Sequence, residues 1–388
     1  MFDSKDMENW YRGSLDIYKD YQNFFIEGFY NFREMFSPYW KNLEKAHKFF
    51  DVLNEIEEAA PSWATENEVV YENQTLKLRF FPSPRRDPRK RPILVLPPQA
   101  GHHSNLADYS AAQSLMRVFQ RYGYDAYTCH WLSASPEYKE LSVADYIRLT
   151  NEAVDAIRER SGFYKIHIMG QCQGGWQAAI YTSFYQEKIA SLVTAAAPID
   201  VNAAPSEIVR MAQESPVELY EMMVALGNGR MNGLFILLGF KSMQAEEHYV
   251  HKYFKLWNLI KNNDQDGLRR FIFFEGWYDY TQFLPGKFYL EVIKNIFIDN
   301  KLTQPGAWVI DGRPVDLKNI NCPVIILAGT KDHITPPGQA FALKNFISTP
   351  EEDIVEILTN GGHIGTLMGT EALREDWTAV AEVLELSI

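Results

Sequence analysis

Short apolar runs alternate along this chain with longer stretches of helical periodicity. Residues 67–80 alternate apolar and polar side chains around Asn73, which predicts a β-hairpin. Ser83 to Pro92 follows, with three prolines and a basic cluster. It reads as a solvated turn or as a contact for an anionic substrate or lipid. Ile93-Leu94-Val95-Leu96 is a continuous apolar run closed by Pro97-Pro98, the signature of a strand buried on both faces. A helix is predicted over 105–121, a strand over Tyr124–Trp131, a helix over 143–160, a strand over 165–169, a helix over 175–187 and a strand over Leu192–Ala196. The alternation lapses from 203 to 310, where the pattern is helical and rich in Met and aromatic residues. It resumes with a strand at Val324–Ala328, a helix near 338–347 and a strand near 353–358. Strand–helix alternation of this kind predicts an α/β domain with a mostly parallel sheet.

The lapse divides the sequence. Residues 1–62 are read as an N-terminal helical extension, because Phe24, Phe25, Phe29, Phe32, Phe36 and Trp40 recur at roughly helical spacing before Pro61. Residues 63–202 and 311–388 are the two parts of the α/β core, and 203–310 is a helical cap inserted between them. Within the cap, Met222, Met223, Met231 and Met243 surround Leu234 to Leu238. This is either ordinary core packing or the adaptable lining of a lid over an acyl chain.

Composition narrows the chemistry. The 388 residues carry 38 basic and 50 acidic side chains, a formal charge of -12, so no nucleic-acid partner is expected, since phosphate binding needs a positive field. Three Cys cannot build a disulfide framework, and neither a signal peptide nor an apolar run of about 20 residues is seen, which predicts a cytoplasmic location.

The segment that carries chemistry is Ile166-His167-Ile168-Met169, then Gly170-Gln171-Cys172-Gln173-Gly174-Gly175, then Trp176-Gln177-Ala178-Ala179-Ile180. It reads as strand, tight turn and helix, a nucleophile elbow with Cys at the bend. Gly170 and Gly174 are needed so that strand and helix can approach. The helix start points N–H groups at the sulfur and makes the amide of Gln173 one oxyanion donor. A thiol nucleophile needs a base, and the base needs an orienting acid. Asp332, in Gly329-Thr330-Lys331-Asp332-His333, and His363, in Gly361-Gly362-His363-Ile364-Gly365, each follow a predicted strand. Cys172 is therefore assigned as nucleophile, His363 as general base then acid, and Asp332 as orienter, with Asp200 as a competing acid. The loop after the first core strand, Gln99-Ala100-Gly101-His102-His103, is where a second oxyanion donor arises in such sites. Gln99 and Ala100 are the candidate donors. Gly101, His102, His103 and His333 are candidates for lining the substrate site. Cys129 and Cys322 lack the elbow context and read as buried. No set of residues has metal-ligand spacing, so neither a metal nor a cofactor is expected.

Taken together, these motifs resemble the polyhydroxyalkanoate synthase family, particularly its short forms. The match also includes Ala197-Pro198-Ile199-Asp200, Lys252-Tyr253-Phe254, Asn300-Lys301-Leu302 and Gly312-Arg313-Pro314-Val315-Asp316-Leu317-Lys318-Asn319-Ile320. The resemblance implies an α/β-hydrolase fold with a cap. It implies an acyltransferase that moves 3-hydroxyacyl groups from coenzyme A thioesters to a polyester held on the thiol. It also implies a homodimer, an accessory subunit and a polymer-granule surface as partners. Gly101-His102-His103, Gln173 and Ala204-Pro205-Ser206 instead resemble intracellular polyhydroxyalkanoate depolymerases. Ester hydrolysis by the same Cys-His-Asp set is therefore the alternative, and it stays open at the level of sequence.

Overall fold

The computed structural model describes residues 43–56 and 61–385. The aromatic positions from Phe24 to Trp40 lie outside the described residues, and so does most of the predicted N-terminal extension.

Eight strands form one sheet: β1 (Glu68–Glu72), β2 (Leu76–Phe81), β3 (Ile93–Leu96), β4 (Ala126–Trp131), β5 (Ile166–Gln171), β6 (Ile189–Ala195), β7 (Val324–Gly329) and β8 (Ile354–Thr359). Their spatial order is β1-β2-β4-β3-β5-β6-β7-β8. The hairpin β1–β2 and the β2–β4 pair are antiparallel, and every other pairing is parallel. This is the topology of an α/β hydrolase. Burial follows position in the sheet. Every residue of β3, β5 and β7 is buried, whereas the edge strands β1 and β8 are partly exposed. Continuous apolar runs mark β3 and β7, as expected of strands covered on both faces, while β5 also buries His167 and Gln171.

Two helices show how the sequence sets its boundaries. α3 (Val143–Ser161) starts at a capping box, with Ser142 N–H donating to Asp145 Oδ2 at 2.7 Å, and stops at Gly162 in the left-handed region, φ 76. α4 (Gln173–Phe184) has no polar face, because all its residues but the first are buried. Trp176 packs against Phe288, which meets Tyr146, which meets Trp131 in an aromatic row beside the sheet. The predicted helix over 105–121 is shorter than its periodicity. Ser104–Ala107 is a 3-10 turn, and the α-helix, α2, spans Leu115–Arg121. Asp108 explains the break, since its carboxylate turns away to accept from Thr65 N at 2.8 Å and Thr65 Oγ1 at 2.7 Å. Ser114 then restarts the helix by accepting from Arg117 N at 3.0 Å. In the stretch without predicted strands, Arg230–Met231 pairs with Leu284–Pro285 as a two-residue ladder.

The chain divides into two units. One comprises residues 60–243 and 280–388 and contains the whole sheet. The other draws on residues 1–59 and 244–279. Its described part is helical: α1 (Leu43–Glu55), a turn of π-helix at Glu247–His251, then Lys252–Lys261 and Gln265–Asp279. Phe49, Val52, Leu256, Ile260, Leu268 and Phe271 form its core. The Lys252 ammonium and Glu275 carboxylate meet at 2.7 Å within it, both mostly buried. Among the described residues no helix is long and apolar enough to cross a membrane.

Candidate active site

The loops after β3, β5, β7 and β8 carry Gln99, Cys172, Asp332 and His363 at the carboxyl ends of neighbouring strands. Crevices at that end of a parallel sheet are where such folds bind ligands.

Cys172 sits at the bend between β5 and α4 with φ 52 and ψ -118, a conformation L-residues rarely adopt. Two backbone bonds hold it there. Cys172 N–H donates to Ala195 O at 2.8 Å, and Gly175 N–H donates to Cys172 O at 2.9 Å. The flanking glycines are required by contact. A Cβ on Gly170 would fall 2.0 Å from Gly174 O, and a Cβ on Gly174 would fall 2.0 Å from Leu96 O. Strand β5, helix α4 and the end of β3 are pressed together with no room for a methyl group.

His363 is the first residue of the short helix His363–Met368, and its ring is buried. Its Nδ1 bonds Asp332 Oδ2 at 2.8 Å. The Asp332 side chain is fully buried, and its other oxygen accepts from Ile334 N at 2.9 Å and Thr335 N at 2.8 Å. This aspartate turn fixes the carboxylate independently of its bond to the imidazole. The two loops are themselves joined, with Thr330 N–H donating to Thr359 O at 2.9 Å and Lys331 N–H to Gly361 O at 3.0 Å. Burial alone would depress the His363 pKa. The Asp332 charge and the Cys172 sulfur outweigh it, each also through a hydrogen bond, and hold the ring well above its ordinary value. With Nδ1 committed to Asp332, the nitrogen left to face sulfur is Nε2.

Residues 66–385 match the family described as "protein of unknown function (DUF3141)". The chain belongs to this family. It is also similar to the poly(3-hydroxyalkanoate) polymerase subunit PhaC of Haloferax mediterranei, 26% identical over 82% of this chain and 63% of that protein. The corresponding polymerase subunit of Allochromatium vinosum is 27% identical over 84% of this chain and 90% of its own length. A monoacylglycerol lipase structure from Paleococcus ferrophilus covers 81% of this chain and 100% of its own, at TM-score 0.49 and 18% identity. The resemblance to polyhydroxyalkanoate synthases read from the motifs is thus matched by homology over most of the length of this DUF3141 chain.

The remaining sequence candidates have different surroundings. Gln173 opens α4, so its amide belongs to the helix start beside the sulfur. Gln99 and Ala100 are buried. The Gln99 side chain donates to Gln177 Oε1 at 3.1 Å, and Gln177 donates to Thr150 Oγ1 at 2.9 Å, so the loop after β3 is tied to α4 and α3. Sequence reading missed this chain; its signal was a glutamine in the apolar run Trp176–Ile180. Gly101 takes φ 85 against Gly233, and its carbonyl accepts from Gln282 N at 2.7 Å. Next to it, Pro98, Gln99, His102, Trp131 and Gln282 line a cavity of about 20 Å³, room for about one water. The His102 ring lies near Phe240, at 6.1 Å between centroids. His103 is buried among Trp63, His130 and Tyr280 and accepts from Asn105 N at 3.1 Å. His333 is half-buried, and burial, with the opposing influences of Asp332 and His363, leaves its pKa below the usual value. Asp200 does not hold His363. It accepts from Asn300 Nδ2 at 2.8 Å and Asn202 N at 3.0 Å. Cys129 and Cys322 are buried, and burial pushes both thiols up. Of the residues in the stretch predicted as a cap, Met231 and Leu237 are buried and Met222 is exposed.

Proposed function

We propose that this chain is a cysteine-nucleophile acyltransferase that moves 3-hydroxyacyl groups from a coenzyme A thioester to the hydroxyl end of a polyester. One observation carries the reading: His363 Nδ1 is hydrogen-bonded to the buried Asp332 carboxylate at 2.8 Å, and Cys172 at the elbow is the other group that favours the protonated ring. Homology to polymerase subunits supplies the substrate class.

In the first half-reaction His363 Nε2 takes the proton of the Cys172 thiol as the sulfur forms a bond to the thioester carbonyl carbon. The oxyanion is held by the amides of Gln173 and of the Gln99–Ala100 loop, each donor worth about 3 kcal/mol in the transition state. The carbon–sulfur bond to coenzyme A breaks, and His363 Nε2 delivers the proton that makes it a free thiol. In the second half-reaction His363 takes the proton of the chain-end hydroxyl. The hydroxyl oxygen bonds to the acyl carbon, the acyl carbon–Cys172 sulfur bond breaks, and His363 Nε2 returns the proton to the departing sulfur. Asp332 stabilises the imidazolium throughout. Homodimerisation, an accessory subunit, a cytoplasmic location and contact with a polymer granule belong to the same proposal.

The test supplies 3-hydroxybutyryl coenzyme A in one reaction and amorphous polyester in another. Free coenzyme A with growing polymer is the expected result. Release of hydroxy acid from polyester, with the thioester untouched, would assign the site to hydrolysis instead.

A further inference from the structure

The short helix that begins with His363 ends at Met368, and its last carbonyls have no partners within the helix. Three side chains from three places in the sequence supply them. Trp377 Nε1 donates to Thr366 O at 2.9 Å, Gln171 Nε2 to Leu367 O at 3.2 Å, and Gln113 Nε2 to Met368 O at 3.0 Å. At the other end Gly362 O accepts from Thr366 N at 2.8 Å, and between the ends Thr366 Oγ1 meets Thr359 Oγ1 at 2.8 Å. A helix of six residues has little stability of its own. Its orientation is whatever its surroundings impose.

We propose that Gln171, Gln113 and Trp377 form a clamp that positions the His363 imidazole against the Cys172 sulfur. The proposal rests on the reading of Cys172 and His363 given above. Gln171 is the central member because it precedes Cys172 in the chain. Its backbone ends β5 at the elbow while its side chain grips the carbonyl one helical turn beyond His363, so nucleophile and base share a single rigid link. Fold stability does not account for this residue. Gln171 is fully buried, and its Oε1 has no hydrogen-bond partner. An unpaired buried acceptor costs about 1–3 kcal/mol, which an apolar side chain of the same size would avoid. Trp377 and Thr366 are also fully buried, so the grip is shielded from competing water.

The clamp residues are positioning residues, and the readout must be one that packing alone would not move. Iodoacetamide alkylation of Cys172 in the full chain, followed by peptide mass from pH 5 to 9, reports the thiol paired with imidazole. Wild type is expected to react at acidic pH with an inflection that a free thiol lacks. In Gln171→Met the reaction at pH 6 is expected to slow at least about tenfold, since small misplacements of paired groups cost up to about a hundredfold. The same variant is expected to keep or raise the melting temperature and, on thioester substrate, to lower kcat with KM unchanged. Gln113→Leu, at a half-buried position, is expected to shift the profile in the same direction and guards against a Gln171 variant that does not fold. An unaltered profile in a folded variant of either residue overturns the clamp while leaving the Cys172–His363 pair standing. A wild-type profile like that of a free thiol overturns the pair and the clamp together.

Discussion

Two parts of the sheet-bearing unit bury histidine rings and give them opposite character. At the ends of β7 and β8, His363 is bonded to the Asp332 carboxylate and lies beside Cys172, and its protonated form is favoured despite burial. Around β2 and β4, His103 and His130 lie 4.6 Å apart between ring centroids, with Trp63 beside them and Arg79 Nε donating to His130 Nδ1 at 3.2 Å. There burial, reinforced by neighbouring positive charge, pushes His103 down to about 4 and His130 down to about 3. Similar burial thus produces a proton donor in one place and inert neutral rings in the other. The partner's charge decides, so burial of a histidine does not by itself mark a reaction centre.

The largest effect that would break this contrast is at the sulfur. Cys172→Ala is expected to lower turnover of the thioester by about 10⁵–10⁶-fold, as loss of a covalent nucleophile does, with the melting temperature almost unchanged. Substantial remaining turnover would detach the His363 region from catalysis. Asp332→Asn comes next, at about 10³–10⁴-fold in kcat, because the imidazole loses its tautomer control and its counter-charge. A stability signature accompanies it. The folded-state pKa of His363 is raised, so its contribution is fully present below about 6.5 and is lost as pH rises through the folded value. Chemical unfolding from pH 6 to 9 should show that alkaline loss in wild type and a flatter profile in Asp332→Asn; parallel profiles would remove the ion pair from the account.

What the sequence reveals follows from how each part is built. The elbow is legible because its constraint is steric: Gly170, Gly174 and Gly175 are the residue type the crowding demands, and they stand in a fixed short pattern around Cys172. The eight-stranded sheet is legible because strands covered on both faces must be apolar throughout, as Ile93–Leu96 and Val324–Gly329 are. The partnership of His363 with Asp332, rather than Asp200, rests on chain order and glycine context in the sequence and on a direct bond in space. Other features are hidden because they depend on pairing across long separations. Gln171 meets Leu367, Gln113 meets Met368 and Gln99 meets Gln177, and no local periodicity records that a glutamine will find a carbonyl or an amide there. The interruption of the helix predicted over 105–121 is hidden for the same reason, since it turns on Asp108 bonding Thr65.

The smallest expected effect sharpens the comparison from its inert side. His130 takes up no proton in the folded state until pH falls to about 3, whereas in the unfolded chain it does so near 6.5. Its contribution to stability is therefore complete above about 6.5 and declines as pH falls below that value, the reverse of His363. His130→Gln keeps an acceptor for Arg79 and removes the titration. Between pH 7 and 4.5 the variant should lose about 2–3 kcal/mol less unfolding free energy than wild type, because only the unfolded wild-type chain takes up that proton. Urea unfolding at the two pH values measures it, with the midpoint and slope read separately. Turnover at pH 7 should stay within about twofold, because the ring is neutral there and glutamine keeps the acceptor for Arg79. If the variant instead loses turnover at neutral pH while its acid stability follows wild type, the β2–β4 histidines take part in the chemistry, and the division between a charged and an inert region is wrong.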